Sequence, residues 1–125
     1  MDQETVGEFV GTLLHSATIT HFMHFQVTGE GSNAKHMALA GYYDSVVDLV
    51  DGLVEALQGC EKTIITAYPK TFTNVTADPL AYLEGLKTYV EVNRESISPE
   101  SNIQNDIDTI VTLIDSTIYK LTFLR

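Results

Sequence analysis

The chain has 125 residues, 44% of them hydrophobic, and carries 17 acidic against seven basic side chains, for a net charge of −10. That length fits one domain spanning residues 1–125, built on a single core. No apolar run reaches the roughly 18 residues of a membrane span, and the scattered lysines and arginines make no basic patch for a phosphate backbone.

The start, "MDQETVGEFV", is acidic and lacks the basic region and cleavage site of a signal peptide. One cysteine, Cys60, excludes an intramolecular disulfide framework and a cysteine zinc site. It reads as a small buried hydrophobe that is neither ligand nor nucleophile. A cytoplasmic chain is expected. Its acidity serves solubility, and cations are its natural small partners.

Four helical segments follow in chain order. The first covers residues 4–26, with Val6, Phe9, Val10, Leu13, Leu14 and Ile19 at helical spacing. "VTGEGSN" breaks it with two glycines, and Ser32 or Asn33 offers an N-cap for the second. That helix is expected to stop at Gly59, burying Leu39, Tyr43, Val46, Val50, Leu53, Val54 and Leu57. "TIITAYPKTFTNVTADP" is strand-like, but no second strand exists to pair with it. It reads as a long connection with room for one turn of helix. Asp78 caps the third helix, with Pro79 at its first position, and the segment reaches residue 96. The fourth opens at residues 99–102 and carries Ile103, Ile107, Ile110, Leu113, Ile114, Ile118, Leu121 and Phe123 to the C-terminus. The fold class is all-α, a four-helix bundle with one long crossover connection.

Two groups of polar residues stand out against this frame. Asp44, Asp48, Asp51 and Glu55 recur at steps of four, three and four, so all point to one side of the second helix. Helices routinely carry such a face simply solvated. Three of the four histidines, His21, His24 and His36, flank the first turn. His15 and His21 read as half-buried or surface residues. His24 closes the first helix and His36 opens the second, so an antiparallel hairpin brings these two imidazoles to one end. Asp51 lies 15 residues past His36, about 22 Å along a helix. One chain therefore cannot wrap His24, His36, Asp51 and Glu55 around one ion. Two chains packed antiparallel through their second helices can, and a symmetric dimer holds two such sites. Mixed imidazole and carboxylate donors suit ferrous iron, zinc or manganese.

These residues carry a resemblance. "THFMHFQVTG" resembles the His-x-x-His-Trp-x-Val-x-Gly signature of the Dps proteins, the mini-ferritins of the ferritin-like superfamily. His24, His36, Asp51 and Glu55 match the four ligands of that family's intersubunit ferroxidase centre at all three intervals. "VDLVDGLVEAL" is similar to the family's second helix and "IDSTIYKLTFL" to its last, with Tyr119 where tryptophan is common. "AKHMALAGYYDSVVDLVD" and "EALQG" also resemble a group of short, uncharacterised proteins of tailed phages. Three departures are visible. Phe25 replaces the usual tryptophan, Ala56 stands where many members have arginine, and the connection after Gly59 is too short for the extra helix Dps proteins carry there.

The resemblance implies a ferritin-like bundle in a homo-oligomer of antiparallel dimers, up to a dodecameric shell. It implies iron, Fe(II) oxidised by peroxide or oxygen to Fe(III), at a catalytic centre of His24, His36, Asp51 and Glu55. Zinc or manganese would be substitutes, and Asp48 would stand beside the ligands rather than among them. The rival class is a catalytically silent structural or interaction protein of phage origin. DNA binding is disfavoured, because twelve chains at −10 each would repel phosphates and the family's lysine-rich tail is absent.

Overall fold

The computed structural model describes residues 1–75 and 78–124. Its regular elements are all helical: α1 (Gln3–Gln26), α2 (Ser32–Glu61), α3 (Pro79–Asn93), a 3-10 turn at Arg94–Ser96, and α4 (Ser101–Phe123). No strand occurs among the described residues. Helix α1 packs on α2, α2 on α4 and α4 on α3, while α1 and α3 barely meet. Lys35 near the start of α2, Asp78 and Pro79 at the start of α3, and Leu121 near the end of α4 line one small cavity. Helices α2 and α3 therefore run in the same direction, and the connection between them must cross the length of the bundle.

Helical periodicity builds the core. Val6, Phe9 and Leu13 of α1 meet Leu39, Val46 and Leu53 of α2, with Leu83 and Val90 of α3 and an isoleucine ridge on α4, all fully buried. Tyr42, not Tyr43, is the buried tyrosine of α2. Ser16 Oγ donates to Leu13 O at 2.5 Å, so the Tyr42 hydroxyl must donate to Ser16 at 2.7 Å. Burial pushes the Tyr42 phenol well above its ordinary pKa, opposed by the Ser16 hydrogen bond. Leu14 and Phe123, at helical spacing in sequence, lie exposed.

The caps explain the ends. Asp2 accepts from Thr5 N at 3.1 Å to open α1. Asp78 accepts from Ala81 N at 3.3 Å to open α3, with Pro79 first in the helix as the sequence predicts. Two expectations are corrected. Gly31, at φ 77, occupies the cap position of α2 in place of Ser32 or Asn33. Helix α2 also runs through Gly59 to Glu61 and ends on Lys62 in the left-handed region, whose N–H reaches Gln58 O. A glycine permits a helix end without forcing one. That extra turn leaves Cys60 exposed rather than buried.

The connection takes neither helical nor strand form among its described residues; Thr76, Ala77 and the terminal Arg125 lie outside them. Its extended start is paired by side chains. Gln3 Nε2 donates to Ile64 O and Gln3 Oε1 accepts from Thr66 N, both at 2.9 Å, while Gln58 Oε1 accepts from Ile65 N at 2.9 Å. One glutamine amide thus does what a neighbouring strand residue would do, which accounts for strand-like sequence without a sheet. The chain then lies along α1. A Cβ at Gly7 would strike the backbone carbonyl of Ala67, and one at Gly11 would press on Phe72 and Pro69 at 3.1 Å.

This close approach sets a test. Gly7→Ala should cost about 1–3 kcal/mol, since backbone cannot be pushed aside cheaply. Gly59→Ala, where an added Cβ meets nothing within 4 Å, should gain up to about 1 kcal/mol of helix propensity. Urea unfolding of both variants measures the contrast. Equal effects would mean that α1 does not seat the connection.

Candidate metal centre

Helix α1 ends where Val27 turns extended, and Gly29 and Gly31, at φ 88 and 77, reverse the chain. The short reversal sets the last turn of α1 beside the first turn of α2. His24 and His36 meet there, as the spacing predicts. Their rings stack with centroids 3.4 Å apart and planes 20° from parallel.

The two residues bond reciprocally. His24 Nδ1 lies 2.7 Å from His36 O, and His36 Nδ1 lies 2.9 Å from His24 O. A carbonyl oxygen can only accept, so each ring must carry its hydrogen on Nδ1. In the neutral ring that leaves Nε2 with its lone pair, the atom a metal would take. A carbonyl holding Nδ1–H is the usual device that fixes tautomer and aim in metal-ligating histidines. The same bond has a structural use, because His24 O belongs to the last turn of α1 and lacks a helical partner.

Aromatic rings surround the pair. His21, half-buried as expected, stacks on Tyr43 at 4.0 Å and on Phe25 at 4.9 Å. The Tyr43 ring stands edge-on to His24 at 5.3 Å. Sequence spacing assigned Tyr43 to the core and left this cluster unread. Phe25 and Met37, beside the pair in sequence, are 69% and 65% exposed.

The carboxylates lie elsewhere. Asp44, Asp48, Asp51 and Glu55 are all exposed on α2, and Asp51 is about 22 Å from His36 along the axis. The structure brings His24 to His36, but brings neither to Asp51 or Glu55. Among the described residues no three histidine, cysteine, aspartate or glutamate side chains of one chain gather into a group that could hold a metal ion. None of the four carboxylates joins the ion pairs found among those residues, which tie Lys87 to Glu91 and Asp115 and Arg94 to Asp108.

His15 sits apart, stacked on Phe72 of the connection at 4.4 Å. Its Nε2 is buried without a hydrogen-bond partner. Nothing in the sequence marks this residue, because its setting depends on where the connection lies.

Comparison with known proteins adds one result. A family of unknown function, DUF5856, matches residues 24–121. The chain belongs to that family. The match opens at His24 and takes in His36, Asp51 and Glu55. No curated protein and no solved structure matches the chain.

Burial lowers the pKa of His15. The folded ring therefore resists a proton that the unfolded chain accepts as pH falls through about 6.5. Its contribution to stability should be complete above that value and decline below it. Denaturation midpoints compared at neutral and mildly acid pH should show a shallower decline in His15→Gln. An unchanged decline would remove His15 as its cause.

Proposed function

We propose that the chain is a Dps-like, ferritin-like iron protein whose oxidation centre forms between two copies packed antiparallel through α2. His24 and His36 come from one copy and Asp51 and Glu55 from the other, with Fe(II) as the substrate. The observation that carries the reading is the reciprocal Nδ1–H to carbonyl pairing, which fixes both rings in the tautomer a ligand needs. The donor set supports it: two neutral imidazoles and two carboxylates suit ferrous iron, with zinc or manganese as substitutes.

The chain's part in the chemistry is to hold ligands ready. Imidazole nitrogens bind without a prior change of tautomer, and the carboxylates offset the charge of the cation. A pair of ferrous ions gives one electron each to a peroxide, whose O–O bond breaks and which leaves as water with protons from solvent; oxygen is the alternative acceptor. Ferric product is stored where the dimers close into a shell. Asp48, one turn before Asp51, is placed to orient rather than to bind.

Surface character supports the packing. Helix α2 is flanked by α1 and α4, and its outer side exposes the four carboxylates together with Val47. Phe25 and Met37 leave apolar surface that a partner would cover. A second reading, a silent ferritin-like structural protein, draws on the same histidines, since His36 also satisfies the end of α1. The experiment below separates the two.

One variant carries His24→Ala and His36→Ala, the other Asp51→Asn and Glu55→Gln. Each alone should fail to oxidise Fe(II). Unfolded, mixed equally and refolded together, they should regain about a quarter of wild-type sites, because half the dimers are mixed and each of those has one intact site of two. Active single variants would show that these residues are not the centre, and a silent bundle gives no wild-type oxidation at all. Verified mixed dimers without rescue would reject the shared site, as would light scattering that finds only the 13.8 kDa chain.

The packing also has a centre. If His36 meets Asp51 and Glu55 of the partner, the two-fold axis passes near Asp44 and Ser45, and two like charges approach there. Asp44→Asn should tighten the dimer about fivefold in Kd and weaken its dependence on salt. Sedimentation measures this, and an unchanged or weaker dimer places the axis elsewhere.

A further inference from the structure

On α1, Leu14, Thr18 and Phe22 follow one another at steps of four, so they share one face of the helix. All three are exposed, Leu14 at 43% and Phe22 at 44%. The connection lies against α1 at Gly7 and Gly11 and leaves the outer side of the following turns uncovered. Where it departs, a groove of about 270 Å³ opens beside Leu14 and Thr18, completed by Gly11, His15, Tyr68 and Phe72.

Phe22 is a knob on the same face as this hole. Thr18 lies four residues from Phe22 and four from Leu14, so a two-fold axis at Thr18 exchanges the two positions. Antiparallel α1 helices then seat each Phe22 in the groove of the other copy, against Leu14, Tyr68 and Phe72. A self-paired contact needs that symmetry, since residue i must meet j and j must meet i. An unrelated partner needs no such match. Size and charge agree. A cavity of about 150 Å³ already accepts a benzene ring, and aromatic walls favour another aromatic ring. Each chain carries a net charge of −10, yet no charged residue occurs from Phe9 to Gly29. Two such chains repel wherever their acids face, and this stretch is where they can close.

We propose that this face of α1 binds a second copy of the chain, with Phe22 of each seated in the groove of the other about a two-fold axis at Thr18. The contact is independent of the iron reading. The Ser16–Tyr42 bond and the His24–His36 pair set Thr18 level with α2 about one turn from Asp44 and Ser45. Crossed antiparallel helices can therefore hold both contacts about one axis.

Sedimentation of the metal-free chain is the first test. The wild type should dimerise, and Phe22→Asp should raise Kd at least about thirtyfold while circular dichroism shows its helices intact. Phe123→Asp, at an exposed position of α4, should leave Kd unchanged. The second test is mild oxidation of single-cysteine chains in a Cys60→Ser background. Thr18→Cys should crosslink to itself across the axis. Phe22→Cys should not, because its two copies would lie about 12 Å apart along α1, beyond the roughly 7 Å that a disulfide spans. A monomeric wild type, equal losses in Phe22→Asp and Phe123→Asp, or crosslinks at position 22 in preference to 18 would each overturn the proposal.

Discussion

The connection between α2 and α3 must cross the bundle with no secondary structure among its described residues to satisfy its own backbone, and much of the architecture follows from how it is held. Gln3 and Gln58 lend amides to its first residues. Gly7 and Gly11 then remove side chains from one face of α1 so that it can lie close. Held there, it occupies the seam where α3 would otherwise approach α1. Helix α3 packs on α4 instead, through the Lys87–Asp115 ion pair at 2.7 Å and the Arg94 bonds to Gln104 and Asp108. A cleft remains in the α1–α3 seam, and the outer side of α2 stays uncovered.

What could be read from the sequence was whatever depends on one helix at a time. Periodicity located all four helices, and Asp78 with Pro79 fixed the start of α3 because cap chemistry is local. Errors arose where a neighbour decides. Tyr42 and Tyr43 are adjacent on α2 and both fit the spacing of its apolar stripe, so the packing of α2 against its neighbours decides which of them turns inward, and Ser16 then answers the hydroxyl of Tyr42. Gly59 looked like a stop, yet no left-handed residue is required there, and the helix continues until Lys62 takes that conformation. Nothing local to α1 calls for glycine at positions 7 and 11, since the chain that needs their bareness lies about 60 residues away.

The candidate site divides along the same line. Spacing alone was enough to place His24 beside His36, because a two-glycine turn leaves the hairpin little freedom. It was also enough to separate that pair from Asp51 and Glu55, because helix rise is fixed. Tautomers were not legible. They follow from carbonyls that become available only when the last turn of α1 meets the first turn of α2. His15 was illegible for a related reason: its unpaired nitrogen is a property of the seam, not of any motif.

A site whose two halves lie about 22 Å apart in one chain would have a thermodynamic consequence. Two neutral imidazoles alone attract a cation weakly, and a solvated carboxylate face alone holds one loosely. Under the shared-site reading neither half is a competent centre, and affinity appears only when a second chain brings the missing half. Metal binding and dimerisation are then linked, since a ligand that binds only the assembled state stabilises it by RT ln(1 + [L]/Kd). On that reading each chain would fold without metal, because the reciprocal histidine bonds already satisfy the end of α1 and the buried apolar core contains none of the four proposed ligands. The iron-free chain would keep its helices while its dimer loosened, which separates this design from small domains whose metal is their core.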